Sequence, residues 1–517
     1  MTLSKFINNT LLWLTLVSFL AQGIIEFSVD NLVADCIVLT SVLITVLYFR
    51  WSKALETHPL SSFAIFGFCV TSQFGALFVQ TMSWTPIISN LNLPLFTFAM
   101  LFLYQVVALL AHSLYRVMTT SASPKSGLVR HTIQKMGIYS QPSAINLWIM
   151  GIIGTFFLML SQVSPVANGF SFLAWSPFLI PVYVLKTGHS YCNVKRHYLA
   201  LVGYALLIAL IAMGFNARRL MLGGVATVLL LYMLIWMRSN QQVTSKMLLK
   251  FALFGLLATA LYWPVTNMVT AMVMVRNDRL KSSASEMVAK TLDNFQHPEK
   301  IELYRIKSLL APQHGAYNED YIKNPVLARF VITKFHDNSI YYAGKISERG
   351  SDELMKTTVD FFWTALPQPV LDAFKIKVNK YYMEFSIGDM LVHIADGLPL
   401  GGLKTGSIFG QGWALFGYAF PFIYFAMCMV LFVALDLFSF QDAIGKTEMA
   451  VIGMLNIWQH FLFGITADSF HYLFIGVVRD LPQSVILYAI VFYIARALSD
   501  LILIRPNRNQ TPNVETL

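Results

Sequence analysis

The sequence predicts an all-α polytopic membrane protein, and three observations support this prediction. Of its 517 residues, 56% are hydrophobic and only 12% are charged. The mean hydropathy of +0.59 is far higher than a soluble protein with a comparable core would need. The apolar residues come in runs that, as helices, have the length needed to cross a hydrocarbon layer of ~30 Å. The sequence does not show the alternating pattern of apolar and polar residues that is typical of a membrane β-barrel.

Twelve apolar segments can be placed along the chain, nine before a long polar stretch at 276–404 and three after it. We therefore predict a membrane part at 1–275, a mostly helical cap loop at 276–405, and a second membrane part with a short tail at 406–517. The predicted spans are 11–25, 32–49, 63–79, 94–114, 147–161, 170–184, 199–215, 220–236, 249–273, 413–435, 448–465 and 484–504.

The basic residues orient these spans. Between 276 and 404 there are 17 basic and 16 acidic residues, so nearly all of the net charge of +10 lies among the apolar segments. If every span crosses, that excess falls on one side, which the positive-inside rule identifies as the cytoplasm. Both termini are then cytoplasmic and the cap loop lies outside. A nearly neutral cap also argues against nucleic acid as a partner.

Arg218 and Arg219 break this rule, because they lie at the outer end of the seventh predicted span. Two guanidinium groups in such a place are costly without an anionic partner. Their planar forks match phosphate oxygens, and a lipid-linked pyrophosphate would present such oxygens at this depth. The alternative is that the pair reaches to lipid headgroups or to an acid of the cap loop.

A helix is predicted from Asn324 to His336, because Asn324 is a capping residue and Pro325 fits the first helical position. On that helix Arg329, Thr333 and His336 share one face, opposite an apolar stripe. The polar face either lines a cleft, where Arg329 would be a further ligand for the anion, or is exposed to solvent. Two more cap helices are predicted, at 298–309 and from Ser351 to just before Pro367.

Asp389, His393 and Asp396 share one face of a predicted helix at 386–396. A carboxylate one turn from a histidine can fix the tautomer of the ring and raise its basicity, as a general base for a sugar hydroxyl requires. A metal site is the weaker interpretation, because three such ligands on one helix rarely converge on one ion. A solvated face is the third. Seven glycines follow at 397–417, where the chain returns to the membrane. They allow either close packing of the backbone against a neighbouring helix or movement of the loop.

The arrangement resembles the bacterial oligosaccharide repeat-unit polymerases and the related O-antigen ligases. The resemblance lies in about a dozen spans, a long outer loop between the ninth and tenth, and arginine and histidine at the outer face. The stretches at 324–330 (NPVLARF), at 398–402 (LPLGG) and at 416–418 (FGY) are similar to the polymerase group. The paired arginine-to-glycine spacing of some polymerases and the histidine signature of the ligases are not found.

The resemblance implies an inverting, metal-independent glycosyltransferase of the bacterial inner membrane that needs no cofactor. Its substrates would be undecaprenyl-pyrophosphate-linked oligosaccharides as donor and acceptor, and a chain-length regulator is a conceivable partner. Arg218, Arg219 and Arg329 would bind the pyrophosphate, while His393, oriented by Asp389, would activate the acceptor hydroxyl. Two other functions stay open: a transporter or flippase of a lipid-linked glycan, and a noncatalytic scaffold of an envelope assembly.

Overall fold

The fold is described from a computed structural model of the chain. The description covers all residues except 122–126, 162–163, 183–193, 279–280, 311–316, 320, 323, 367, 379–384, 403, 443 and 505–517. Within the described residues nearly all regular structure is helical. The predicted all-α class is therefore confirmed.

Nine helices in this part of the chain are long and apolar enough to cross a membrane. They confirm nine of the twelve predicted segments and agree with a multi-pass membrane protein. Their bounds are Leu3–Ile25, Val29–Ser52, Pro59–Met82, Pro94–Thr119, His197–Gly214, Leu220–Met237, Ser245–Met274, Ile408–Asp436 and Phe470–Leu501.

The other three predicted spans have shorter or interrupted structures. The first is the helix Ala144–Leu160 and the second an apolar stretch, Val166–Val182, that includes a 3-10 helix at Ser171–Leu179. The third, predicted at 448–465, is not one helix. It begins in a two-stranded hairpin of Ser439–Gln441 and Thr447–Met449 and continues as two short helices, Val451–Leu455 and Ile457–Phe463.

The polar stretch forms several helices, as predicted. The predicted helix at 298–309 is found as Pro298–Leu310, and the one after Ser351 begins slightly earlier, as Glu348–Trp363. The remaining helices of this stretch are Ala284–Gln296, Thr333–Ala343, Gln368–Ala373 and Ile387–Asp396, with 3-10 turns at Arg276–Asp278 and Leu327–Arg329. Short helices elsewhere are Ala54–Thr57 and Leu128–Lys135.

The helix Thr333–Ala343, which we call the buried cap helix, packs into the membrane bundle and is not a surface element. All of its residues except Phe335 and Tyr341 are buried, although most are polar. Polar groups removed from water need partners, so this helix must find its hydrogen bonds in the bundle.

Part of this docking depends on a π-helical turn, Val70–Phe74, inside the span Pro59–Met82. A π turn interrupts the regular hydrogen-bond ladder and exposes backbone groups to other partners. The carbonyl oxygen of Thr71 accepts a hydrogen bond from the backbone amide of Ile332 at 3.0 Å. That of Ser72 accepts one from the Thr333 hydroxyl at 2.7 Å.

Asp337 makes the second docking contact. Its carboxylate accepts hydrogen bonds from the backbone amides of Asn92 and Leu93, both at 2.8 Å, at the start of the span Pro94–Thr119. It also lies 2.9 Å from the Lys334 ammonium, and both charged side chains are buried. A carboxylate at a helix N-terminus satisfies free amides and complements the helix dipole. Asp337 therefore caps a membrane helix from within the polar stretch.

The third contact is a close approach of the buried cap helix to the helix Ile408–Phe416, with Gly410 at the contact. A Cβ atom at Gly410 would lie 2.4–2.6 Å from Ser339, including two of its backbone atoms. Only glycine permits this distance without a shift of one helix.

Replacement of Gly410 by Ala should therefore destabilise the protein by about 2 kcal/mol, as overpacking of a close contact typically does. The measurement is thermal unfolding of the purified protein in detergent, followed by tryptophan fluorescence. Gly255→Ala is the matched control, because that helical glycine has no atom within 4 Å of an added Cβ. Equal unfolding midpoints for the two variants would contradict the prediction.

At the opposite end of the bundle, buried polar side chains join four spans. The Tyr48 hydroxyl lies 2.7 Å from Nδ1 of His112, and Nε2 of His112 lies 2.9 Å from the Ser61 hydroxyl. Ser61 donates to the Asp436 carboxylate at 2.6 Å. Hydrogen bonds between spans are typical of helix association in membranes. Each of these four side chains has a hydrogen-bond partner, so we interpret the series of hydrogen bonds as a structural link between the spans.

Candidate functional site

Arg218 and Arg276 are brought together by the C-terminal end of the long helix Ser245–Met274. Arg218 is the first residue of the helix Arg218–Met237, and Arg276 follows Ser245–Met274 in a 3-10 turn. Between them, the amide Nδ2 of Asn216 donates to the Met272 carbonyl at 2.9 Å. Asn216 has a positive φ of 49°, which turns the chain sharply before Arg218. The two arginines therefore lie at one end of the same helix pair.

Arg329 reaches the same region from the polar stretch. The side-chain oxygen of Asn324 accepts from the amides of Val326 and Leu327 at 2.9 and 3.0 Å and so forms the turn that carries Arg329. The Asn324 amide donates to the Thr266 hydroxyl of the helix Ser245–Met274 at 3.2 Å. This helix thus anchors all three arginines, which we call the arginine cluster: Arg218, Arg276 and Arg329.

The predicted continuous helix from Asn324 to His336 is wrong. A 3-10 turn ends at Arg329, and the buried cap helix begins only at Thr333. The chain leaves helical geometry between them because the amide of Ile332 bonds to the π turn of a membrane span. Consequently Arg329, Thr333 and His336 do not share a helix face. Arg329 is exposed, whereas Thr333 and His336 are buried.

The positive charges of the arginine cluster act on one another and lower the pKa values of its members. Burial lowers the pKa of Arg218 to about 10, with further lowering by Arg329 and Arg276. Loss of hydration also lowers the pKa of Arg329, although this side chain keeps access to solvent. The negative charge of Glu319 raises the pKa of Arg329, and the positive charge of Arg276 lowers it further. Arg218 therefore stays charged at neutral pH.

No ion pair neutralises these three guanidinium groups within the described residues. Glu319 is the carboxylate whose charge acts on both Arg218 and Arg329, and Tyr304 also acts on Arg218. Counted over the described residues, three cations with one acid acting on them leave an excess of positive charge. Such a cluster can bind a polyanion such as a phosphate or pyrophosphate group.

Arg219 was predicted beside Arg218 as a phosphate ligand. Its backbone belongs to the helix Arg218–Met237, but its side chain lies outside the described residues. Its role stays a prediction. The structure also brings Arg276 to Arg218. Sequence reasoning placed Arg276 only at the start of the polar stretch, and Glu319 was not singled out.

His336 is predicted on a face that looks into a cleft or is solvated, but it instead joins two membrane elements. Its Nδ1 lies 2.7 Å from the Ser407 hydroxyl, which caps the helix Ile408–Phe416, and its Nε2 lies 3.2 Å from the Ser72 hydroxyl. Burial lowers the pKa of His336 to about 3. The ring is therefore neutral at physiological pH and holds the helices together.

Asp389 and His393 lie one turn apart on the helix Ile387–Asp396, as predicted. The fully buried Asp389 carboxylate lies 3.4 Å from the Lys404 ammonium and accepts from the Ser386 hydroxyl at 3.1 Å. His393 is half-buried, and its Nδ1 donates to the Leu398 carbonyl at 2.8 Å. This bond places the proton on Nδ1 and leaves Nε2 as the acceptor.

The tautomer of His393 is thus fixed by a backbone carbonyl. The predicted use of Asp389 as its orienting partner is not needed for this geometry, because the Asp389 carboxylate contacts Lys404 and Ser386. Asp396, the third residue of the predicted face, pairs with Lys345 at 3.2 Å. Groups of three or more histidine, cysteine or acidic side chains that could hold a metal do not occur among the described residues.

Comparison with known proteins adds no family assignment. Neither a protein-family model, nor a curated protein, nor a solved structure matches this chain.

Proposed function

We propose that the protein is a membrane glycosyltransferase of the polymerase type, which joins lipid-pyrophosphate-linked oligosaccharide repeat units. The observation that carries the proposal is the arginine cluster. Its three guanidinium groups form no ion pair within the described part of the chain and lie beside the C-terminal end of the exposed helix Ser245–Met274. Arginine binds phosphate oxygens with two parallel hydrogen bonds, so the cluster suits a pyrophosphate better than a single charged group.

The helix Ser245–Met274 supports a lipid-linked substrate. Its apolar side chains between Leu248 and Trp263 are exposed except Phe251. Its last third holds Asn324 and Arg305 through Thr266 and Asn267. Arg276 directly follows this helix. A polyprenyl chain lying along the apolar part in the bilayer would have its pyrophosphate at the level of the cluster.

The chemistry proposed for the cluster is stabilisation of the leaving group. When the bond between the sugar and the pyrophosphate breaks, negative charge develops on the pyrophosphate oxygens. Fixed arginines stabilise that charge without reorganisation during the reaction. Transfer with inversion needs no metal or cofactor in this scheme, and a base must take the proton of the acceptor hydroxyl. His393, whose Nε2 is the acceptor nitrogen of the ring, stays a predicted candidate for that role.

The proposal includes the finer membrane topology. We infer about twelve membrane crossings in the inner membrane of a bacterium, with both termini in the cytoplasm and the polar stretch as an extracytoplasmic cap between the ninth and tenth crossings. Three arginines at the opposite end support this orientation: Arg116, Arg130 and Arg238 each donate to a backbone carbonyl there. Donor and acceptor would both be undecaprenyl-pyrophosphate-linked oligosaccharides, with a chain-length regulator as a further partner.

A transporter or flippase of a lipid-linked glycan is the second candidate. The observation that favours it is Asp35, a carboxylate buried in the span Val29–Ser52 with one oxygen lacking a hydrogen-bond partner. Ionisable groups inside membrane spans often mark transport pathways. The polymerase is preferred because Arg218, Arg276 and Arg329 all lie outside the nine candidate membrane spans of the described residues, so the cluster does not line a span.

The test is single replacement of Arg218, Arg219, Arg276, Arg329 and His393 by Ala in a strain that lacks the protein. We expect each cluster variant to lower long-chain surface polysaccharide at least about 30-fold, because lost contacts to the transition state cost several kcal/mol. Single-repeat product should accumulate on the cell surface. The measurement is a gel of surface polysaccharide, normalised to the amount of protein in the membrane.

Arg479→Ala is the matched control, because Arg479 is an exposed arginine outside the cluster. Normal long chains in all the cluster variants would refute the assigned site. Absence of single-repeat product outside the cell, together with its accumulation inside, would favour the transporter.

A further inference from the structure

Glu319 is an acid beside the arginine cluster whose role the proposed function leaves open. Its side chain is exposed. One carboxylate oxygen accepts a hydrogen bond from the backbone amide of Thr405 at 3.0 Å. Among the residues that the structure describes, the second carboxylate oxygen has no hydrogen-bond partner and the carboxylate has no ion pair.

The backbone around Glu319 is fixed by both the cap and the bundle. The Asn318 carbonyl accepts from the side chain of Asn338 in the buried cap helix at 2.6 Å. The Tyr317 hydroxyl donates to the Thr405 carbonyl. On the other side, the fully enclosed Tyr321 hydroxyl donates to the Ile87 carbonyl at 2.7 Å. Glu319 therefore projects from a segment held on both sides, as a catalytic group needs.

We propose that Glu319 is the base that takes the proton from the acceptor hydroxyl, an inference that rests on the proposed function. In this step the acceptor oxygen forms a bond to the anomeric carbon, and its proton passes to the Glu319 carboxylate. The bond from that carbon to the pyrophosphate breaks, and its electron pair leaves with the pyrophosphate. The arginine cluster receives that charge.

The position of Glu319 favours it over His393. The charges that act on Arg218 within the described residues are those of Arg329, Arg276, Tyr304 and Glu319. Base and leaving group must lie within a few ångströms of the same anomeric carbon, so the base must lie near the cluster. The charge of Glu319 acts on both Arg218 and Arg329, whereas the hydrogen bond described for His393 is to the Leu398 carbonyl.

Glu319→Gln is the decisive variant, because the glutamine oxygen can still accept from the Thr405 amide. We expect the rate of polysaccharide chain growth in membranes from the native host to fall at least 100-fold. Binding of inorganic pyrophosphate by the purified full-length protein should be unchanged or tighter, because one negative charge is gone. Glu319→Asp should retain part of the rate.

A merely structural or charge-balancing role predicts a different pattern: tighter pyrophosphate binding with the rate at saturating donor preserved. That pattern would overturn the inference, as would a larger loss of rate in His393→Gln than in Glu319→Gln. Glu348→Gln, at an exposed helix start, is the control for removal of one acidic charge.

The two proposals can fail separately. If replacement of Arg218 or Arg329 by Ala leaves pyrophosphate binding and chain growth unchanged, the proposed function fails. If those variants lose activity while Glu319→Gln remains active, only the role of Glu319 is overturned.

Discussion

Asp337→Ala is expected to destabilise the protein by about 3–5 kcal/mol, the range typical for loss of one partner of a buried ion pair. The change leaves the ammonium of Lys334 without its partner in a site where that side chain is only 4% exposed. It also removes the acceptor for the amides of Asn92 and Leu93 at the start of a membrane helix. The measurement is the unfolding midpoint of the purified protein in detergent.

The double variant Lys334→Met with Asp337→Asn is the control for this prediction. Asparagine keeps an acceptor oxygen for the helix amides, and methionine removes the buried charge. We expect the double variant to recover most of the lost stability, because a buried ion pair can be replaced by neutral groups at little cost. A midpoint as low as that of Asp337→Ala would show that the charge pair itself, and not the unpaired lysine, determines the effect.

Acidification is expected to destabilise the protein through His336. The pKa of this histidine is lowered by burial to about 3, whereas an unfolded histidine titrates at a pKa near 6.5. Below pH 6.5 the unfolded chain therefore binds a proton that the folded chain does not. The stabilisation is complete above pH 6.5 and is lost as the pH falls toward 3, with about 3 kcal/mol lost by pH 4.5.

His336→Gln separates this effect from other titrations, because glutamine keeps a donor and an acceptor but does not bind a proton in this range. The measurement is the unfolding free energy of both proteins between pH 8 and pH 4.5. The wild type should lose about 3 kcal/mol more than the variant over this range. At pH 8 the two should differ only by the altered hydrogen bonds. Parallel curves would contradict the assignment.

The membrane helices could be predicted from the sequence where apolar runs are long and uninterrupted, as in Val29–Ser52 or Ser245–Met274. The segment at 448–465 has comparable composition but is interrupted at Asn456 and begins by pairing with Ser439–Gln441. That pairing depends on a strand outside the segment. Hydropathy measures how long a run is apolar and not which partner its backbone meets.

The site was predictable only in part, for the same reason. Arg218 is identifiable because an arginine at the end of an apolar span is unusual wherever it folds. Arg329 is predicted from the polar face of a continuous helix, although the structure has a 3-10 turn there. Arg276 sits at the start of a polar stretch, where arginine is ordinary, and only the contact of Asn216 with Met272 brings it to Arg218. The helix predicted through Arg329 failed because Ile332 bonds to Thr71, a partner far away in sequence.

The capping of a membrane helix by Asp337 has a consequence for how the protein is made. Asn92 and Asp337 are separated by 245 residues, so the start of the helix Pro94–Thr119 is synthesised long before its cap. Until the polar stretch has emerged and folded, the amides at that helix start have no Asp337 to bind. Contacts of such long range form late and slowly. Assembly of the bundle and folding of the polar stretch are thus one event, and a chain cut within that stretch would leave an incomplete membrane part.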